Sequence, residues 1–426
     1  MVSGGSPARD DLPVWLFVSY GGGHVRALLP VAQRVRELGI AQPVYLALTT
    51  AAAQVRATGL RTLGFRDLLR PGDQRALDKG AELAARLTVQ GTDRDESVAY
   101  LGLSYVEMED RLGIEAAARL FRQYDRQAFL PLGILDRVMQ TLEPALVVAT
   151  NSPRAEMAAV ETARARGVRS VCLVDLLGIW ERDRLARHDY ADALCVLNKG
   201  VRDDLVNAGR AAADVHVTGN PAFDPLHDPA IRAQGAGYRT DLGWNGLHVC
   251  MYASSPEPES VAGVDGTGDP AFPRRIEQAL IEAVDANPAL ALWVRRHPSE
   301  AGAGDVLPAM HPRIREATSD MPVQTCIHGS DEIIVTVSTV GVEASIAGKF
   351  VTQVKGSILD HLSPYVAMGL ADREITLDQV AEAYASRAMV PPVQPGDPGR
   401  ASFATSAATD RVVQVLISVQ EHGCAR

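Results

Sequence analysis

VWLFVSYGGGHVRALLPVAQRVRELG, residues 14–39, decides the fold. Val14 to Ser19 is an apolar, β-rich run with little alternation, the pattern of a strand buried on both faces. Tyr20-Gly21-Gly22-Gly23-His24 makes a turn, and residues 25–39 read as an amphipathic helix that stops at Gly39, a residue suited to a left-handed cap. Strand, glycine turn and helix in that order open a βαβ unit.

Working outward, residues 43–49 read as the next strand, and residues 74–140 as a mostly helical, charged region. Further strands are expected at 146–150, 171–175, 194–197 and 215–218, separated by helical patterns, which implies right-handed crossovers and a mainly parallel sheet. GNPAFDPLHDPA (219–230) holds three prolines and a glycine and reads as a linker. The alternation then resumes, with strands at 248–254, 291–297, 332–338 and 350–356 and helices near 272–286, 341–348, 377–387 and 405–421. PPVQPGDPG (391–399) is a loop rich in breakers that isolates the last helix. The expected organisation is α/β: an N-terminal Rossmann-like domain over 1–222 containing the helical region 74–140, a C-terminal Rossmann-like domain over 223–404, and a helix in 405–426 placed to pack back on the first domain.

Composition agrees with a globular protein. A chain of 426 residues exceeds one ordinary core, and 46% hydrophobic with 22% charged residues is an ordinary balance. The formal net charge of −10, from 42 Lys+Arg and 52 Asp+Glu, disfavours wholesale wrapping of nucleic acid and leaves only a local basic groove open. None of the five cysteines, Cys172, Cys195, Cys250, Cys326 and Cys424, stands at metal-ligand spacing, and they read as buried apolar residues of a reducing compartment. The polar lead-in and short apolar run at the N-terminus lack a signal-peptide pattern, and no window approaches the ~18 apolar residues of a membrane span, so a cytoplasmic protein is expected. No metal site is expected, since the ten histidines form no HExxH or Cys/His cluster, and the glycine turn matches neither GxGxxG nor GxxxxGK[ST].

Three constellations offer chemistry. Gly22, Gly23 and His24 lie where a strand ends and a helix begins; unpaired N–H groups there face an anion, and the imidazole suits a general base. The plain alternative is a tight turn with a histidine facing solvent. Arg295, Arg296 and His297 end a strand of the second half, where guanidiniums suit a diphosphate and a solvated basic loop is the alternative. Ser338, Thr339, Gly341 and Glu343 open a helix, where hydroxyls and N–H groups take phosphate oxygens and a carboxylate takes ribose hydroxyls; simple capping is the alternative. Ser254 and Ser255, and Asp360 and His361, are further donor-side candidates, while Asn151 (with Ser152) and Asp175 end strands of the first half and are assigned to an acceptor.

Taken together, these residues resemble the GT-B superfamily, two Rossmann-like domains whose parallel sheets face each other across a cleft. The glycine-histidine turn with VRALLPVAQRVRELG resembles the peptidoglycan N-acetylglucosaminyltransferase (MurG-like) group. DVHVTGNPAFDPL (214–226) is similar to the interdomain segment of that group and of the UDP-GlcNAc 2-epimerases. STVGVEASIAGK (338–349) resembles the donor-site helix of these families and of capsule-polysaccharide transferases, and HLSPYVAMGLADREITLDQVAEAY (361–384) the stretch that follows it. The His-Pro pair with a downstream Ser-Thr is similar to bacterial polysialyl- and Kdo-transferases. The turn is shorter than that of the MurG-like group, and the segment around Ser338 lacks the paired glycines and doubled acids of the epimerases.

The resemblance implies His24 at the reaction centre as base or donor-phosphate contact, Glu343 on the ribose, Ser338 and Thr339 on the phosphates, and Asp360 and His361 near the donor sugar. The expected activity is a metal-independent, cofactor-free glycosyltransferase that uses a nucleotide-sugar donor, a UDP-sugar by preference. Its acceptor stays open among glycolipid, polysaccharide precursor, natural product and polymer, nucleic acid included, as do peripheral membrane contact and a monomer or homodimer. Two rivals stand beside it. A hydrolysing nucleotide-sugar 2-epimerase needs carboxylates around the sugar, which Glu107, Glu109, Asp125 or Asp175 could supply. A non-catalytic GT-B binding module is the other.

Overall fold

The structure, a computed structural model, describes residues 12–86, 93–261, 264–300, 311–318, 321–385 and 407–421. The breaker-rich loop 391–399, Cys424 and most of the N-terminal lead-in lie outside them, as do the ends of the helices expected at 377–387 and 405–421. The chain divides into two compact units, Met1–Ala222 with Ala404–Arg426, and Phe223–Phe403.

The sheet of the first unit comprises β1 (Val14–Ser19), β2 (Gln42–Ala47), β3 (Arg61–Leu63), β4 (Leu146–Thr150), β5 (Arg169–Leu173), β6 (Ala193–Val196) and β7 (Val215–Val217). Every pairing is parallel, in the order β3-β2-β1-β4-β5-β6-β7. The helices are α1 (Gly23–Leu38), α2 (Ala51–Ala57), α3 (Gln74–Ala84), α4 (Arg94–Leu112), α5 (Ile114–Tyr124), α6 (Leu132–Leu142), α7 (Ala155–Ala165), α8 (Arg182–Leu185) and α9 (Lys199–Asn207). Trp15 and Phe17 of β1 pack with Val25, Leu28, Val31 and Val35 of α1, at helical spacing, in one core. Each such side chain contributes about 1.5–3 kcal/mol on burial. Gly39 closes α1 with φ 62°, the left-handed conformation that glycine adopts without a Cβ clash. In the helical region, α3 and α4 cross closely because both carry glycine at the contact: a Cβ on Gly80 would lie 2.0 Å from the Val98 carbonyl, and one on Gly102 1.8 Å from that of Ala76.

The second unit repeats the plan with β8 (His248–Ala253), β9 (Leu290–Arg295), β10 (Ile314–Glu316), β11 (Glu332–Val335), β12 (Phe350–Lys355) and β13 (Arg373–Thr376), all parallel, in the order β10-β9-β8-β11-β12-β13. Its helices are α10 (Pro229–Asp241), α11 (Phe272–Ala286), α12 (Val323–Gly329), α13 (Thr339–Ile346) and α14 (Val380–Ala385). The chain then returns to the first unit with α15 (Ala408–Glu421), whose Val412, Val413 and Leu416 join the core around α1. In both sheets the strand order reverses once, between β1 and β4 and between β8 and β11, and ligands of open α/β sheets bind at the carboxyl ends of strands at such a point.

Two parallel α/β units of this topology match the expected fold class. The strand read at 171–175 instead ends at Leu173, because Leu176 turns the chain into positive φ (56°) and takes Asp175 out of the ladder. Sequence periodicity missed β3, β10 and β13, which are edge strands of three or four residues, half exposed and too short to show a pattern. Cys172, Cys195, Cys250 and Cys326 are free and buried, and burial pushes the Cys172 thiol up to about 12. No helix among the described residues is long and apolar enough to cross a membrane.

Candidate functional site

The carboxyl ends of β1, β4 and β5 bring together the first group of polar residues. Gly22 caps α1 with φ 70°, and Gly23 and His24 open the helix. Here the glycines serve close approach: a Cβ on Gly21 would lie 1.8 Å from the Thr50 hydroxyl, and one on Gly23 2.9 Å from Oδ2 of Asp175. That carboxylate stands 3.9 Å from His24 Nδ1, a buried atom with no hydrogen-bond partner among the described residues. Asn220 donates to Asp175 Oδ1 at 3.3 Å.

Asn151, 4% exposed, follows β4 and binds both ends of the segment 175–181. Its Oδ1 accepts from the Asp175 N–H at 2.7 Å, its Nδ2 donates to Glu181 Oε2 at 3.1 Å, and its carbonyl accepts from Arg184. Burial raises the Glu181 carboxyl above the usual carboxylate range, against the pull of Arg184 and His24. Beneath the glycine turn lies Glu156, fully buried in the first turn of α7. Its Oε1 accepts from the Tyr20 N–H at 2.8 Å while its Oε2 has no partner, and burial raises it too. Tyr20 and Tyr100 share a hydrogen bond of 2.6 Å, and the Arg154 guanidinium lies 3.8 Å above the Tyr20 ring. Trp180, 65% exposed, neighbours Glu181.

The carboxyl ends of β8, β9, β11 and β12 gather the second group. Ser254 donates to Glu300 Oε1 at 3.1 Å, and the His297 N–H donates to Glu300 Oε2 at 2.9 Å. Ser255 is half-buried beside them, and the exposed His297 ring pairs with Ser299. Arg296 reaches Glu277 with two bonds, of 2.6 and 3.2 Å, and Arg295 caps the carbonyls of Thr318 and Met321. These contacts occupy the guanidiniums that the sequence reading offers to a diphosphate. Ser338 caps α13 by accepting from the Val340 N–H at 3.3 Å, and Thr339 is exposed at the helix start. Gly341 lets α13 lie close, since a Cβ there would stand 2.8 Å from Val335 and 3.4 Å from the Tyr365 ring. Glu343, 5% exposed, accepts from Gln324 at 3.2 Å. Asp360 accepts from the Gly356 N–H at 2.8 Å while its Oδ1 has no partner, and His361 is exposed next to it.

Sequence reasoning missed Glu156, Glu181 and Asn220, which come from three different segments; Glu181, three residues after the positive-φ turn at Leu176 and Gly178, carried no motif. Of the carboxylates named for an epimerase, Asp175 lies in this group. Glu107 caps the start of α6 through Gly133 and Ile134, Glu109 pairs with Arg75, and Asp125 pairs with Arg126.

Two parallel α/β units with these strand orders are consistent with a GT-B-like fold. No protein-family model matches the chain, and no curated protein sequence does. Among solved structures it is similar to the UDP-GlcNAc 2-epimerase of Rickettsia bellii (TM-score 0.56, 10% identity, 96% of this chain and 97% of that one). It is also similar to that of Neisseria meningitidis bound to UDP-GlcNAc (TM-score 0.53, 11% identity, 95% and 100%). A glycotransferase of kitacinnamycin shares the fold at TM-score 0.50 and 13% identity, over 97% and 96%. The expectation of a glycosyltransferase is thereby corrected: the whole-chain matches of higher TM-score are to 2-epimerases, the reading held as an alternative. The glycine turn and the capped helix start at Ser338 are features of the fold, and fold alone does not separate the two chemistries.

Proposed function

We propose that this chain is a hydrolysing nucleotide-sugar 2-epimerase acting on a UDP-N-acetylhexosamine or a close relative. One observation carries the reading: the Asn151 amide holds the backbone N–H of Asp175 and the carboxylate of Glu181, and both acids stand with His24 at the strand ends of the first unit. Epimerisation requires a proton to leave C2 of the sugar and another to return on the opposite face, which calls for two proton-handling groups. As the C2–H bond breaks, its electron pair forms a C1–C2 double bond and the C1–O bond releases UDP. Water then adds at C1 and a proton is delivered to C2, giving UDP and the free epimeric sugar.

Asp175, with His24 beside it, takes the base role, and Glu181, raised by burial, the acid role. In the second unit, Glu343 and the α13 start at Ser338 and Thr339 bind the ribose and the diphosphate, the latter through the N–H groups and partial positive charge of a helix N-terminus. No acceptor is required, because water takes that place. The free cysteines of both units fit a reducing, cytoplasmic compartment.

The test is release of UDP and a free sugar from a panel of UDP-sugars with no acceptor present. The expected result is stoichiometric UDP and free N-acetylhexosamine from one member of the panel. An unchanged panel, with UDP bound but no sugar released, would contradict it.

A further inference from the structure

Resting on that reading, we infer that Asn151 is a positioning residue: its one amide sets the spacing of Asp175 and Glu181 and confines the proton of Glu181 to Oε1. Hydrogen-bond directions fix this. The Asp175 backbone N–H can only donate, so the Asn151 atom facing it at 2.7 Å is the carbonyl oxygen Oδ1. The amide orientation is thereby set, and its NH2 group faces Glu181 Oε2 at 3.1 Å. An NH2 group cannot accept, so Oε2 stays an acceptor in every protonation state, and a proton on Glu181 resides on the other oxygen.

The same residue ties down the loop between the two carboxylates. Leu176 and Gly178 both sit at positive φ, 56° and 61°, and a side chain at Gly178 would meet Val174 at 2.7 Å. A turn wound this tightly needs its ends held, and Asn151 holds Asp175 at one end and Glu181 at the other. Its carbonyl holds Arg184 of α8 as well, which packs over the Tyr190 ring. With both side-chain polar atoms engaged and 4% of its surface exposed, Asn151 acts through its neighbours and does not contact substrate.

The charged and titratable groups that face Glu181 are Arg184 from α8, His24 from α1 and, more weakly, the Cys172 thiol of β5. Asn151 contributes the neutral donor among them. Replacing it by Asp keeps the acceptor for the Asp175 N–H but sets a second carboxylate against Oε2, and like charges at that distance make one of the two hold its proton. The exchange Asn151→Asp with Glu181→Gln restores a donor–acceptor pair across the same gap with the roles reversed.

Carboxyl 13C NMR titration of the full chain reads the midpoint of Glu181 without any turnover, its signal assigned by loss in Glu181→Gln. The inference predicts a midpoint higher by roughly one pH unit or more in Asn151→Asp, a smaller rise in Asn151→Ser, and a melting temperature in the exchanged double variant restored towards that of the parent. UDP release by the double variant should stay abolished, since the restored bond does not restore the proton. A midpoint unchanged in both Asn151→Asp and Asn151→Ser overturns the role, whatever the turnover. If instead the midpoints move while the parent releases no UDP from any UDP-sugar, the positioning role stands and the epimerase reading is the one that fails.

Discussion

Glu156 of the first unit and Glu332 of the second are both fully buried glutamates, and they are treated in opposite ways. Glu332 begins β11, where its Oε1 accepts from Thr352, from Arg373 at 2.9 Å and from Tyr384 at 2.7 Å, and its Oε2 pairs with His248 at 3.0 Å. Burial pushes its carboxyl up, but His248, Arg373, Thr352 and Tyr384 together outweigh burial and hold it below the usual range. Glu156 has the Tyr20 N–H and, at 3.5 Å, the Thr150 hydroxyl on one oxygen and nothing on the other, and burial prevails. A buried carboxylate with both oxygens engaged fixes a fold, whereas one left half-paired beside an imidazole and two tyrosines is a cost that a purely structural site avoids. The contrast extends to the surroundings. His24 Nδ1, Ser152 Oγ and Arg154 Nε in the first unit are buried and unpaired; at the strand ends of the second, Asp360 Oδ1 is unpaired too, but Ser254, Arg296, Ser338 and Glu343 all have partners. On the proposed reading, proton chemistry belongs to the first group and ligand holding to the second.

Substitutions separate the two. The largest effect is expected from Asp175→Asn, which removes a base and leaves the hydrogen bond to Asn220 open to an amide. UDP release should fall roughly 100- to 10,000-fold with little change in melting temperature, and a fall below tenfold would break the contrast. Next comes Glu332→Gln, which leaves Arg373 without its charge partner in the interior. A loss of about 3 kcal/mol in denaturant titration is expected, with kcat per folded molecule unaltered. If kcat fell as well, the second unit would hold more than ligand.

The pH dependence of stability should carry opposite signs for the two residues. Glu332 is held below the usual carboxylate value of 4.5, so its contribution is present above that pH and is lost as the pH falls through its folded value. Glu156 is held above 4.5, so its contribution is present below that pH and is lost as the pH rises through its folded value. Stability measured from pH 4 to 7 should therefore slope less steeply downward in Glu156→Gln than in the parent, and an unchanged slope would mean that Glu156 does not hold its proton. At neutral pH the smallest effect follows: Glu156→Gln keeps the acceptor for Tyr20 and should change stability by less than about 1 kcal/mol.

Much of the architecture was legible because it rests on local pattern. The first strand, the glycine turn and the helix of α11 at Phe272–Ala286 all show their period and their breakers in the sequence. The short edge strands were hidden because three or four half-exposed residues have no period. At the site, His24, Asn151 and Asp175 could be placed at strand ends because each follows an apolar run. Glu156 and Glu181 could not, since nothing in the first turn of a helix or in a loop marks a carboxylate that tertiary packing will bury. Arg296 shows the converse: nothing near it in the sequence announces its partner Glu277, nineteen residues away. The choice between transferase and epimerase turns on the spacing of carboxylates around the sugar, which is a property of three dimensions.

The most direct test of the account is to incubate the protein with UDP-GlcNAc or the UDP-sugar it hydrolyses in D2O and follow C2 of the product by NMR. Proton removal and return at C2 predicts UDP together with a free sugar carrying one deuterium at C2. Release of UDP with C2 still fully protonated would contradict the account, because the bond at C1 would then have been cleaved without the proton transfer assigned to Asp175 and Glu181.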